Sequence, residues 1–159
     1  MNHKNIFAII LSSSLFFFSC GGNETKTEES TETGAATTET PAAEPASDKG
    51  FGKFQNVELT HPLDESMVKK GQQISEVKCT SCHKLSDERL VGPGWKGVTD
   101  RRTPEWIMNF VTNVDEMLEK DPNAQAMLEV CMVRMPNQNL SDDEARAVLE
   151  FMRHNDGKN

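Results

Sequence analysis

Residues Cys79-Thr80-Ser81-Cys82-His83 constrain this chain more than any other segment. Two thiols separated by two residues span one porphyrin edge and can add across its two vinyl groups. The histidine that follows the second thiol then falls beneath the iron. Cys-x-x-Cys-His is therefore read as the attachment sequence of a covalent haem, here a single haem c. Other uses of paired cysteines fit less well. A zinc site needs four ligands, commonly from two such pairs or from a pair and two spaced histidines. There is no second pair, and His61 and His154 stand alone. A thioredoxin-like dithiol needs a β-α-β setting, whereas the flanks here read as helices. A disulfide suits an exported protein but leaves His83 without a role.

The amino terminus reads as a leader. Lys4 precedes an apolar run from Ile6 to Phe18, too short for a permanent membrane span, and Ser19-Cys20-Gly21-Gly22 follows. A cysteine directly behind a small residue resembles the lipobox of bacterial lipoproteins, although Phe17-Phe18 departs from its usual residues. That resemblance implies removal of residues 1–19 and lipidation of Cys20; the alternative is a secreted protein with an incidental cysteine. Both export the chain; the lipid would anchor it to a membrane of the bacterial cell envelope, facing the periplasm.

From Glu24 to Asp48 the sequence is Thr, Glu, Ala, Ser and Pro without a large apolar residue. Such a stretch cannot bury enough surface to offset its ordering entropy, so residues 20–49 are expected to form a disordered acidic linker. A flexible coil of about 30 residues reaches roughly 30 Å. The whole chain holds 25 acidic and 17 basic residues, for a net charge of −8. That balance excludes a nucleic-acid partner and a polybasic membrane anchor. Residues 50–159 remain for one small domain, to which a haem would add apolar core.

Within that domain the periodicity is helical, and no alternating strand pattern occurs. Asp64-Glu65-Ser66 opens a helix whose stripe of Met67, Val68, Gly71, Ile74 and Val77 runs into the haem motif. Thr103-Pro104 opens another, and Asp121-Pro122 a third, each with a cap and a proline at the first position. Ser141-Asp142-Asp143-Glu144 is a capping box ahead of Ala145, Val148, Leu149, Phe151 and Met152. The expected fold is all-α, with about four helices. Gly71 invites close approach of the last helix, with Phe151 or a neighbour packed on it. Cys131 is left over as a small buried apolar residue.

One face of the iron belongs to His83; the other decides the chemistry. A protein ligand there favours electron transfer, and an open face favours binding of a small molecule. Met135 stands out in the loop Arg134-Met135-Pro136-Asn137, just ahead of the capped last helix. Met132 is its rival three residues earlier, with His61, His154 or an open position as further alternatives. Otherwise Met127, Met132 and Met152 are expected to fill gaps in the core.

These residues together resemble a class I cytochrome c over about residues 50–155. The motifs are Gly71 ahead of Cys79-x-x-Cys82-His83, then Val91-Gly92-Pro93, then Met135-Pro136 ahead of a final helix bearing Phe151. The resemblance implies His83 and Met135 as axial ligands and Cys79 and Cys82 as haem attachment points. It implies that the Pro93 carbonyl accepts from the His83 imidazole. By the same analogy Trp95, Arg101, Arg102 and Trp106 contact the haem edge or its propionates. A solvated role for the arginines and a core role for Trp106 remain open. More narrowly, Val98 to Phe110 and Asp121-Pro122-Asn123-Ala124 resemble lipoprotein cytochromes of Bacteroidota respiratory clusters, including those for nitrous oxide reduction.

The expectation is a one-electron carrier with no small-molecule substrate and weak, transient redox-protein partners. The alternative is a haem enzyme or gas sensor with an open sixth iron position.

Overall fold

The computed structural model describes residues 47–159. The expected leader, Cys20 and the linker up to residue 46 lie outside them. Six helices follow in order: α1 (Glu65–Lys78), α2 (Val98–Arg101), α3 (Pro104–Thr112), α4 (Val114–Lys120), α5 (Pro122–Cys131) and α6 (Asp142–Asn155). No strand occurs among the described residues; a lone bridge pairs His83 with Arg89. The all-α expectation holds, with two more helices than the sequence signals gave.

The four expected starts are capped by side chains. The Asp64 carboxylate accepts from Ser66 N and Met67 N. Thr103 Oγ1 accepts from Trp106 N, and Asp121 Oδ1 from Ala124 N. Both arms of the Ser141–Glu144 box are present, Glu144 N donating to Ser141 Oγ at 3.3 Å and Ser141 N to Glu144 Oε2 at 2.8 Å. Each cap satisfies backbone donors that a helix start leaves without partners.

Helices α1 and α6 cross at Gly71. A Cβ added there would lie 2.0 Å from the Ala147 carbonyl oxygen and 2.8 Å from Phe151 Cβ. Only glycine lets the two backbones approach so closely, as the sequence suggested. Val68, Ala145, Val148, Leu149 and Phe151 are buried in the core around this crossing, with Trp106, Ile107 and Met117 from α3 and α4. Val77 departs from its expected place. It is 82 % exposed, because the last turn of α1 projects to the rim of a cavity instead of onto α6.

Residues ahead of α1 strap the domain. Asn109 on α3 donates to the Lys49 and Phe54 carbonyls and accepts from Phe54 N. Glu105 accepts from Val57 N at 2.9 Å. Further along, Glu150 on α6 is fully buried and receives Thr60 Oγ1 at 2.7 Å, Asp64 N at 3.1 Å, Arg146 at 2.6 Å and Arg153 at 2.9 Å. Burial pushes this carboxyl up. The donors from Arg146, Thr60, Asp64 and Arg153 outweigh that and hold it at about 2.

Candidate functional site

Helix α1 ends at Lys78, and the chain makes one further tight turn. Cys79 N and Thr80 N both donate to the Ser75 carbonyl, at 2.9 and 3.0 Å. Cys82 N and His83 N then donate to the Cys79 carbonyl, each at 3.0 Å. This turn brings the two cysteines and the histidine together at the end of one rigid helix. Cys79 is buried and Cys82 half-buried, and neither forms a disulfide among the described residues. Burial pushes the Cys79 thiol up, opposed in part by a hydrogen bond from Ser75.

Residues 84–95 fold back over this turn. Val91 N and Gly92 N donate to the Cys82 carbonyl at 3.2 and 2.9 Å, and Trp95 N donates to the Lys84 carbonyl at 2.9 Å. That register sets His83 Nδ1 2.8 Å from the Pro93 carbonyl oxygen. A proline carbonyl can only accept, so the proton sits on Nδ1 and the lone pair is left on Nε2. Gly92 packs flat on the ring: a Cβ there would lie 2.3 Å from His83 Cε1. Trp95 closes another side, its ring centroid 5.8 Å from that of the imidazole.

Cys79, Cys82 and His83 line a cavity of about 350 Å³, within the roughly 300–1,000 Å³ of cofactor sites. Of the residues anticipated from sequence, Pro93, Trp95, Arg101, Arg102, Trp106 and Met135 line the same cavity. Ile107, Phe110, Val148 and Met152 supply much of its apolar wall. The rivals of Met135 are absent from it. Met132 is 84 % exposed and caps the end of α5 with a left-handed φ of 56°, so it fills no core gap. His61 bonds the Asn159 carbonyl at 2.8 Å, and His154 lies on the surface. Cys131 is half-buried instead of buried, because the end of α5 opens onto a surface cleft.

The lining fits a haem. Trp106 is buried, yet its indole Nε1 has no hydrogen-bond partner among the described residues. Such an orphan donor costs stability unless a bound group supplies an acceptor. Arg102 lies over the Trp106 ring at 4.7 Å, and Arg101 donates to the Lys96 and Gly94 carbonyls. An unpartnered N–H and two guanidinium groups on a mostly apolar wall suit a flat apolar ring that carries carboxylates. Zinc finds no comparable setting: among the described residues no group of three His, Cys, Asp or Glu side chains is placed to hold a metal.

The sequence reading missed Met127 as a lining residue, having assigned it to the core, and gave Phe110 no place at the site. Their helical spacing is the same for a core stripe and a cavity wall. It also missed the attachment of α2. The Asp156 carboxylate, beyond the end of α6, accepts from Gly97 N at 2.5 Å, Thr99 N at 2.9 Å and Thr99 Oγ1 at 2.7 Å. It thereby fixes the short helix that carries Arg101.

Comparison with known proteins agrees with this geometry. The family model for cytochrome c matches residues 68–156. Cytochrome c from Rhodothermus marinus is similar in structure, with a TM-score of 0.65 and 34 % identity over 67 % of this chain and 90 % of that one. An engineered form, Rma TDE, gives 0.64 and 33 %, covering 67 % and 92 %. The same engineered protein bound to a carbene intermediate gives 0.61 and 33 % over the same shares. No curated protein matches the chain. The family match and the structural likeness together place the chain in the cytochrome c family, as an electron-transfer protein with covalently bound haem c.

Proposed function

We propose that the chain is a lipid-tethered, monohaem, His/Met-ligated electron carrier of the bacterial envelope. It takes one electron from a quinol-oxidising complex or a soluble carrier and passes it to a terminal reductase or oxidase. The observation that carries this reading is the pairing of His83 and Met135 in one cavity, with the imidazole oriented by the Pro93 carbonyl at 2.8 Å. When bound, haem c supplies a one-electron iron centre, and a thioether ligand favours its ferrous state.

The remaining work belongs to the protein's own side chains. Cys79 and Cys82 would form the two thioether links. His83 would offer Nε2 to the iron, and its bond to the Pro93 carbonyl keeps the ring from turning and raises its basicity. Met135 would supply a thioether ligand and exclude water and small ligands. Trp106 Nε1, Arg101 and Arg102 would hold the propionates, and Trp95 would pack against the ring system. The apolar wall of Ile107, Phe110, Val148 and Met152 limits solvent reorganisation around the changing charge.

Lipidation of Cys20 and the acidic linker would let the domain visit partners near a membrane. The narrower resemblance supports a role in a respiratory chain, those for nitrous oxide reduction included. Docking is weak and transient, as suits a carrier that must release each partner.

The test is an optical spectrum of the oxidised holoprotein. An iron–methionine charge-transfer band in the far red is expected, lost in Met135→Ala and kept in Met132→Ala. Absence of that band from the parent, with ready carbon monoxide binding after reduction, would support the open-face enzyme or sensor instead. For the tether, mass spectrometry of the envelope form should show diacylglycerol on Cys20; an unmodified Cys20 would sink that part.

A further inference from the structure

The six arginines of this chain divide into two sets. Arg134 pairs with Asp115, and Arg146 and Arg153 pair with Glu150. Arg89, Arg101 and Arg102 have no carboxylate partner among the described residues. All three line one cleft of about 400 Å³, together with Lys96, and Asp87 is the sole carboxylate on its wall. In a chain of net charge −8, this is a marked separation of positive charge.

The cations are already fixed in place. Arg89 Nη1 donates to the Val130 carbonyl at 2.7 Å. Arg101 spends one guanidinium nitrogen on Lys96 O at 2.8 Å and the other on Gly94 O at 3.4 Å. Arg102 is held over the Trp106 ring. A guanidinium carries five N–H donors in a fixed fork; Arg101 and Arg102 would turn theirs to the propionates, which leaves Arg89 and Lys96 with donors for an incoming carboxylate. Because the rotamers are set in advance, an incoming anion orders little on arrival.

Pro93, Gly94, Arg101, Arg102 and Met127 line both this cleft and the haem cavity, so an occupant of one is a single layer of residues from the other. The α5 part of the rim is apolar. Val130, on the cleft wall, is 64 % exposed, and Ala126 beside it is exposed as well. A free phosphate would gain nothing from that rim. A protein surface would bury it, and arginine beside apolar contact is the composition that interfaces favour.

We propose that this cleft docks a carboxylate cluster on the surface of a redox-protein partner, which makes the α5 side a docking face distinct from the cavity rim at Val77. The proposal rests on the electron-carrier reading above and adds to it where the partner binds and what chemistry recognises it. It also explains how an acidic carrier attracts an acidic partner: locally the field is positive, and local charge steers encounter.

The experiment uses the oxidised holoprotein and a reduced flavodoxin of strongly acidic surface as the probe. The flavin gives up one electron and the iron takes it, and the bimolecular rate is followed by stopped flow. The parent rate should fall by about tenfold or more between ~10 and ~200 mM salt. Arg89→Glu with Lys96→Glu should lower the low-salt rate by about tenfold. Ala126→Glu, which adds a charge to the exposed cleft wall and removes no contact, should lower it in the same direction. Lys69→Glu with Lys70→Glu, an equal charge change on α1, should alter it by less than about twofold.

Equal slowing by both double variants would reduce the effect to net charge and overturn the proposal, as would no slowing by the cleft variants. Line broadening of residues 87–96 and 123–131 by inert hexacyanochromate(III), without any cleft effect on the flavodoxin rate, would make it a small-anion site and overturn docking. Reduction potentials of the cleft variants should stay at the parent value, so failed docking leaves the electron-carrier reading standing. A parent that does not cycle reversibly would sink that reading itself.

Discussion

The two sides of the haem cavity are built differently. On the histidine side, Cys82 O receives two backbone donors, Gly92 leaves no room beside the imidazole, and Pro93 O holds Nδ1. On the methionine side, residues 133–141 carry no helix, and their bonds are few and exposed, save a half-buried one to the end of α1. Gln138 Nε2 donates to Pro136 O at 3.2 Å, Asn139 N to Asn137 Oδ1 at 2.8 Å, and Lys78 Nζ to Gln138 O at 3.2 Å. One ligand is thus fixed by tertiary structure before the cofactor arrives, whereas the other relies on a segment of low local stability. The lesson is that attachment and ligation are separable: the α1 end fixes where the haem is joined, and the 133–141 segment sets what its far face can do.

The largest effect should come from breaking the frame that carries the histidine side. Gly71→Val would drive side-chain carbon into the Ala147 carbonyl, 2.0 Å from the position of a Cβ. Overpacking of a backbone crossing that cannot yield should cost about 3 kcal/mol or more. Denaturant unfolding of the holoprotein would measure it. A loss under about 1 kcal/mol would show that the α1–α6 contact is looser than described.

Glu150 comes next. Replacement by Ala leaves Arg153 buried beside an empty site, and removal of one partner of a buried pair costs about 3–5 kcal/mol. The same group sets an acid limit. Its folded pKa of about 2 lies below the ordinary 4.5, so its contribution is complete above about pH 4.5 and fades as pH falls toward about 2. From that shift the contribution is about 3 kcal/mol. Comparison of parent and Glu150→Gln over this window should show the difference between them shrinking with acid; a constant gap would refute the assignment.

On the other side, Met135→Ala should be mild in stability and complete in spectrum. The side chain is half-buried, so truncation should cost about 1–2 kcal/mol, while the far-red band vanishes and the haem stays covalently attached. A variant that also lost the haem would show that attachment and ligation are coupled after all.

The sequence announced the histidine side more clearly than the methionine side. Asp64, Thr103, Asp121 and Ser141 are caps whose partners lie two or three residues away, so local pattern suffices to place α1, α3, α5 and α6. Helices α2 and α4 lack side-chain caps of their own. The start of α2 is Gly97 at φ 73°, and its donors are met by Asp156, 57 or 59 residues away. No window of sequence contains that pair. Sequence favours Met135 for its place just ahead of the capped last helix but keeps Met132 as a rival, since both follow the same helix. Only the left-handed turn at Met132 sends one outward and leaves the other to line the cavity. The basic cleft was invisible for the same reason, because Arg89, Lys96 and Arg101 form no motif and meet only through the fold.

The smallest effect is also the sharpest test of the contrast. Arg134 precedes Met135 and pairs with Asp115 on α4 at 2.7 Å, with both side chains more than half exposed. An exposed pair of this kind contributes about 0.2–1 kcal/mol, so Arg134→Ala should scarcely move global unfolding. Local opening is another matter. If the methionine segment is held by a few exposed contacts, loss of one should speed hydrogen exchange at residues 133–139 several-fold, while Gly92 N and Val91 N keep their protection. Exchange that rises equally at both places would mean the two sides open as one unit, and the division between a fixed and a yielding ligand would fall.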